Sequence, residues 1–361
     1  MSKIVIITDT HLDARQSSSI FLKYMQNYYN DVLFPYMKEN NIVDLIHLGD
    51  FTDNRNNISL QANQYIVQGF GSKLKEQNIK MELCLGNHDL AYRNNSSVHS
   101  LTGLEYAYRD NVVIHQDFSK VIIGNQKFMM CGWVNDGNID EFTRMMNNYN
   151  DKSNTILCGH FEIAGAKHYK NSPPAEHGMD ADIFKGWQDV WSGHYHTKST
   201  LGNINYFGSL FYITWQDYGD NRGFHVFDTE TKELEYIVNE YSLFKELVYN
   251  VDEIGDCKDK FVRIVKNTKP ESEADFLKYI ANIEKLSPIK VDVVDNTIVY
   301  EKVNHTDVDN ETQQKNVKEL DEYFSEYMAT HYPDLEHGKY ITEHLKVLYK
   351  TVIESSFKGE N

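Results

Sequence analysis

Five times before residue 200 a short apolar run gives way to a small or polar turn and then to Asp, His or Asn. Ile4-Val5-Ile6-Ile7 leads to Asp9 and His11, and residues 43–48 lead to Gly49-Asp50. Residues 81–85 lead to Gly86-Asn87-His88-Asp89, 155–158 to Gly159-His160-Phe161, and Val190-Trp191-Ser192 to Gly193-His194-Tyr195-His196. Continuous apolar runs of this length suit strands covered on both faces, as in sheets packed under helices. Between them, residues 20–38 and 59–77 space their apolar side chains three and four apart, which predicts amphipathic helices. In open α/β sheets functional groups collect on loops at the carboxyl ends of strands, and each candidate here lies just past such an end.

The pattern changes from about residue 240. Phe261-Val262-Arg263-Ile264-Val265 predicts a strand, 271–286 a helix and Ile289-Lys290-Val291-Asp292-Val293 another strand, punctuated by Pro270 and Pro288. Residues 303–312 are polar and acidic and read as a linker. Beyond it Val317, Leu320, Phe324 and Tyr327 form one helical stripe and Ile341, Leu345, Leu348 and Val352 a second, with Pro333 and Gly338 at the turn. The expected organisation is a domain over 1–239, a small α/β appendage over 240–302, the linker, and a helical hairpin over 313–361. The hairpin can fold back on its own domain or dock in a partner's groove.

Composition alters this picture little. Hydrophobic residues at 41% and charged residues at 25% are an ordinary globular balance. No apolar run approaches the roughly 20 residues of a membrane helix, so no membrane partner is expected. Ile4-Val5-Ile6-Ile7 is too short for a signal-peptide core. The cysteines Cys84, Cys131, Cys158 and Cys257 form no C-x-x-C pair, which fits a reduced, cytoplasmic protein. The net charge of −17 runs against nucleic-acid binding, which usually relies on Lys and Arg. An acidic chain acting on DNA must hold it through metal ions, a local basic patch or a partner.

Seven side chains carry the candidate chemistry: Asp9, His11, Asp50, Asn87, His160, His194 and His196. If Asp50 bridges two ions, these ligands supply four bonds to each. Mixed imidazole, carboxylate and amide ligation suits Mn or Fe, with Zn possible, and the lack of Cys argues against a closed structural zinc site. Two ions about 3.5–4 Å apart can activate a bridging water and polarise phosphoryl oxygens. His88, beside Asn87, can then stabilise the developing charge or protonate the leaving alkoxide. Asp89 can orient that imidazole or cap its turn. His47 reads as packing or support, His177 as a substrate-loop candidate, and Arg55 as a phosphate contact or a surface ion pair.

Asp9-Thr10-His11, Gly49-Asp50-Phe51-Thr52-Asp53, Gly86-Asn87-His88-Asp89, Gly159-His160 and Gly193-His194-Tyr195-His196 resemble the motifs of calcineurin-like metallophosphoesterases. With Val190-Trp191-Ser192, Thr197 and the later Arg222-Gly223-Phe224-His225-Val226-Phe227-Asp228, the pattern is similar to the SbcD-type nuclease subunits, including those of T-even-type phages. The likeness covers about the first 230 residues. It implies a four-layer α/β/β/α sandwich with a capping domain, and a manganese-dependent nuclease with 3′ to 5′ exonuclease activity on duplex DNA and endonuclease activity on single strands. It implies one ion on Asp9, His11, Asp50 and His196, a second on Asp50, Asn87, His160 and His194, and His88 as the catalytic histidine. It also implies a homodimer and an SbcC-type coiled-coil ATPase that takes the terminal hairpin. Some members carry a histidine where Asp53 stands, and that role does not transfer. The alternatives are a small-molecule or phosphoprotein phosphatase on the same metals, and a scaffold subunit whose metal site has decayed.

Overall fold

The computed structural model describes residues 2–297 apart from 171 and 271. The hairpin and linker expected after residue 302 lie outside the described residues. In chain order the strands of the main body are β1 (Lys3–Ile7), β2 (Asp44–His47), β3 (Lys80–Cys84), β4 (Leu90–Tyr92), β5 (Asn95–His99), β6 (Val112–His115), β7 (Phe118–Ile123) and β8 (Gln126–Cys131). They continue with β9 (Thr155–His160), β10 (Asp189–Gly193), β11 (Ser199–Leu201), β12 (Ile204–Tyr206), β13 (Gly223–Asp228) and β14 (Leu234–Val238).

Among the described residues two six-stranded sheets form, ordered β14-β13-β1-β2-β3-β6 and β11-β12-β10-β9-β8-β7, with β4 and β5 as a separate ribbon. β1, β2, β3 and β6 run parallel, as do β8, β9, β10 and β12. The period of two along each strand sorts its side chains between layers. Val5, Ile7, Leu45, Met81 and Leu83 face one core, shared with helical residues such as Tyr29, Phe34 and Phe70. Ile4, Ile6, Ile46 and Cys84 face the opposite way, onto Phe128, Met130, Ile156, Cys158 and Trp191 of the second sheet. Leu157 and Val190 point outward from that sheet to Phe142, Met146, Phe161 and Phe184. Three stacked cores separate four layers, α/β/β/α. The apolar runs are continuous because both faces of these strands are covered.

The two helical segments span Ser19–Glu39 and Leu60–Glu76, each with a π turn, at Tyr29–Leu33 and Tyr65–Gly71. Pro35 follows the first turn. A proline has no N–H for the α ladder and crowds the carbonyl four residues back, so a locally widened turn fits there.

After β14 come β15 (Phe244–Val248), β16 (Phe261–Lys266), a helix over Glu273–Glu284 and β17 (Lys290–Asp295), with sheet order β15-β16-β17. Leu247, Tyr249, Val262, Ile264, Phe276 and Ile283 form their own small core. The β-α-β unit stands where it was expected, and β15 adds a third strand not read from the sequence. By its contacts the chain divides into Met1–Ile264 with Ser272–Val293, and Val265–Glu271 with Val294–Asn361. In the second unit Lys266 pairs with Asp295 at 2.6 Å and Asn296 donates to Asn267 at 2.9 Å.

Trp191, 1% exposed, packs on Phe128, Phe207 and Phe227 between the sheets. Trp191→Ala is expected to destabilise the protein by about 3–5 kcal/mol. Chemical denaturation followed by circular dichroism measures it, and a loss under about 1 kcal/mol would mean the sheets close over the gap.

Candidate metal centre

The carboxyl ends of β1, β2 and β3 meet those of β9 and β10 at one edge of the sandwich. Gly193 pairs with His160 across β10 and β9, so His160 is the last residue of its strand, not a residue past it as the apolar run suggested. The loops after β1 and β2 run side by side: Asp9 N donates to Gly49 O at 3.0 Å, His11 N to Asp50 O at 3.1 Å and Leu12 N to Phe51 O at 2.9 Å. Close approach fixes the glycines between these loops. A Cβ on Gly86 would stand 2.2 Å from Asp50 N and Oδ1, and one on Gly49, whose φ is +98°, would stand 2.6 Å from His160 Nδ1.

Four of the seven candidates hold backbones that L-residues rarely adopt: Asp9 at φ 48°, His11 at 46°, Asp50 at 54° and His194 at 87°. Asp and His tolerate the left-handed region better than most residues, and such strain gathers at functional sites. The strain is held by the inter-loop bonds and by side chains. His194 N donates to Asp9 Oδ1 at 3.0 Å, and His88 N to Asp50 Oδ1 at 2.8 Å.

The seven side chains converge. Ligand atoms of Asp9, His11 and His196 lie within 4.8 Å of one another, as do those of Asp50, His160 and His194. A third group, His11, Asp53 and His88, meets the same limit. Asp50 Oδ2 lies 3.1 Å from His160 Nε2 and 3.9 Å from His11 Nε2, between the first two groups. Asn87 Oδ1 lies 3.2 Å from His194 Nδ1. His88 is half-buried and its Nδ1 contacts the Asp53 carbonyl oxygen at 2.6 Å. That carbonyl, not Asp89, orients the imidazole. The Asp89 carboxylate accepts from Phe51 N, Thr52 N and Oγ1, and Gly86 N, so it clamps the Asp50 loop. Local sequence order cannot reveal this, because Phe51 and Thr52 come from the neighbouring loop.

Several supports have no motif of their own. His47 lies between Thr10 Oγ1 at 3.0 Å and Gly49 N at 3.2 Å. Trp133 sets its ring against His160 and His194. Arg222, 1% exposed, donates to the His196 carbonyl and pairs with Asp217 at 2.7 Å. Arg55 is half-buried and His177 exposed, and neither stands in the three ligand groups.

Burial disfavours charge on every group here, yet opposite charges override it in part. Against burial, the carboxylates of Asp53, Asp50 and Asp9 push His11 up to about 9. Against burial, Asp50 and Asp9 push His160 up to about 9. Against burial, His160, His11 and His88 hold Asp50 well below the usual carboxylate range. Burial raises Asp9, and burial with neighbouring imidazoles takes His194 and His196 down to about 3. Burial and the Asp50 charge bring Asp89 up to about 6.

Residues 2–198 match the calcineurin-like phosphoesterase family. The chain belongs to that family. This phosphoesterase is 28% identical over 296 residues to exonuclease subunit 1 of Enterobacteria phage T4, covering 81% of this chain and 82% of that one. Among solved structures it is similar to an archaeal phosphodiesterase, at 18% identity and TM-score 0.32, covering 66% of this chain and 99% of that one. It is also similar to the purple acid phosphatase PPD1 of yellow lupin seeds, at 14% identity and TM-score 0.36, covering 66% and 51%. Likenesses this distant carry no argument about substrate.

The family implies divalent metal ions, and the donors in this phosphoesterase fit them. His160 Nδ1 is engaged by Leu48 O at 2.8 Å. Its Nε2 is buried without a hydrogen-bond partner, 3.1 Å from Asp50 but out of line. A carbonyl on one ring nitrogen leaves the other as a lone pair for a metal. His11 and His196 set their Nε2 atoms 3.0 Å apart beside Asp9, two donors facing one space.

Because His11 and His160 sit near 9 in the metal-free protein, cations must displace their protons at neutral pH. Metal affinity is therefore expected to rise with pH from 6 toward 9. Titration calorimetry in buffers of different ionisation enthalpy should show proton release at pH 7. Equal enthalpy in all buffers would contradict it.

Proposed function

We propose that this phosphoesterase is a DNA nuclease subunit of the SbcD type, manganese-dependent, with 3′ to 5′ exonuclease activity on duplex DNA and endonuclease activity on single strands. One ion is assigned to Asp9, His11, Asp50 and His196, and the other to Asp50, Asn87, His160 and His194. When bound, the ions supply Lewis acidity at phosphoryl oxygens and lower the pKa of a water. The observation that carries the reading is the position of His88. Its main chain bonds Asp50 while its half-buried imidazole is held through Nδ1 by Asp53. With Nδ1–H engaged, Nε2 is the atom that meets the substrate, to steady charge on the phosphorus centre or hand a proton to the leaving oxygen. Relationship to a phage exonuclease subunit over most of the chain favours DNA over a small phosphomonoester.

The reading extends to the chain's organisation. Residues 1–239 form the nuclease domain and 240–302 a cap over the DNA. Residues 303–312 are a linker, and 313–361 a docking segment for an SbcC-type coiled-coil ATPase, with the assembly built on a homodimer in the cytoplasm. A chain ending at residue 305 is expected to keep metal binding and lose ATPase capture in a pull-down. Undiminished capture would remove the docking assignment.

Manganese-dependent release of nucleotides from 3′-labelled duplex DNA tests the activity. The wild type is expected to release them, and His88→Ala to bind two metals while losing at least about 100-fold in rate. Cleavage of p-nitrophenyl phosphate but not DNA, with two metals bound, would favour a phosphatase instead.

A further inference from the structure

We infer that Asp53 is a positioning residue for the metal centre, setting the ring nitrogen that His11 offers and tying that ligand to His88 through one residue. The inference rests on the metallophosphoesterase reading of the site and goes beyond its ligand set.

His11 has two ring nitrogens in different surroundings. Nε2 faces His196 Nε2 at 3.0 Å and Asp50 Oδ2 at 3.9 Å, the space assigned to an ion. Nδ1 faces the other way, toward Asp53 Oδ1 at 3.1 Å. It is buried and makes no in-line hydrogen bond, so this carboxylate is the acceptor within reach. A carboxylate at Nδ1 places the proton there and leaves the Nε2 lone pair for a metal, the way outer carboxylates orient ligating histidines. The same carboxylate raises the basicity of the ring.

The main chain of Asp53 does a second job, since its carbonyl oxygen meets His88 Nδ1 at 2.6 Å. The two imidazoles stand edge to face at 5.0 Å between ring centroids. One residue thus touches a ligand histidine with its side chain and the substrate-facing histidine with its backbone. Its place is rigid: Asp53 N donates to Leu12 O at 3.0 Å, which locks the loop after β2 against the loop after β1. Side chain and backbone can therefore be separated by mutation, because replacing the carboxylate leaves the carbonyl bonded to His88.

A competing assignment makes Asp53 itself a ligand, with His11 and His88, of a further ion. His11 would then have to coordinate through Nδ1, and His88 would have to release the Asp53 carbonyl or use Nε2. The observed bonds favour orientation over ligation.

The test is Mn²⁺ binding to the full chain, followed by titration calorimetry and electron paramagnetic resonance, for wild type, Asp53→Asn and Asp53→Ala. Wild type is expected to bind two ions. In Asp53→Ala one should weaken about 10–100-fold while the other holds, and Asp53→Asn should fall between, since its amide oxygen can still accept from Nδ1. Excess Mn²⁺ should restore turnover of both variants, because His88 keeps its carbonyl partner. In ¹⁵N-histidine-labelled protein loaded with diamagnetic Zn²⁺ in place of Mn²⁺, a His11 signal of the Nδ1–H form should shift in Asp53→Ala, which a merely structural role would not produce. Unchanged affinity for both ions in Asp53→Ala would overturn the inference. So would a turnover defect that persists at saturating metal, or three ions in wild type and two in the variant. Two ions bound by wild type without DNA cleavage would instead defeat the nuclease reading and leave the role of Asp53 to be judged from binding.

Discussion

A carboxylate buried to 2% exposure, with one imidazole nitrogen 3.1 Å away and another at 3.9 Å, sets the conditions for this fold. Taking Asp50 out of water costs several kcal/mol unless opposite charge meets it. The charge comes from both sheets, His11 on the loop after β1 and His160 at the end of β9. Neither sheet alone can satisfy it, so the face-to-face packing through Ile4, Ile46, Ile156 and Trp191 is also what completes the electrostatics. Bound divalent cations would relieve the same burial more fully, since each brings positive charge beside the carboxylate. The left-handed backbones at Asp9, His11, Asp50 and His194 are tolerable because the convergence over-determines them.

The parts of the molecule that could be read from sequence are those where one short segment carries the whole signal. Strands covered on both faces give continuous apolar runs, so β1, β2, β3, β9 and β10 and the candidate side chains at their ends were visible together. The helices over Ser19–Glu39 and Leu60–Glu76 were visible in outline, but their π turns were not, because a widened turn barely disturbs an apolar stripe. β7 was missed because an edge strand such as Phe118–Ile123 keeps one side toward solvent and mixes Ser119 and Lys120 with Val121. β4 and β5 are short and polar, and no period shows in them.

Roles that depend on contact between loops could not be read. Asp89 neighbours His88 in sequence, which suggested an orienting carboxylate, yet its oxygens turn to Gly86, Phe51 and Thr52. Asp53 lies thirty-five residues from His88 and holds it with a carbonyl, a group every residue possesses and no motif records. Arg222 was part of a recognisable run, but that its guanidinium holds the His196 carbonyl follows only from the fold. Trp133 had no signal at all, being one aromatic residue on the loop after β8.

The net charge of −17 takes on a different meaning beside this site. Asp9, Asp50 and Asp53 stand in the groups of side chains that could hold a cation, where a phosphodiester would have to approach. Without cations, the imidazoles of His11 and His160 offset these carboxylates in part, and the excess negative charge repels an anionic backbone, the more so in a partly enclosed site. With two divalent ions in place of the protons they displace from His11 and His160, the local charge rises by two, and the repulsion eases. Substrate affinity and chemistry would then depend on the same ions, and an acidic chain of this kind would engage phosphate where such ions are bound.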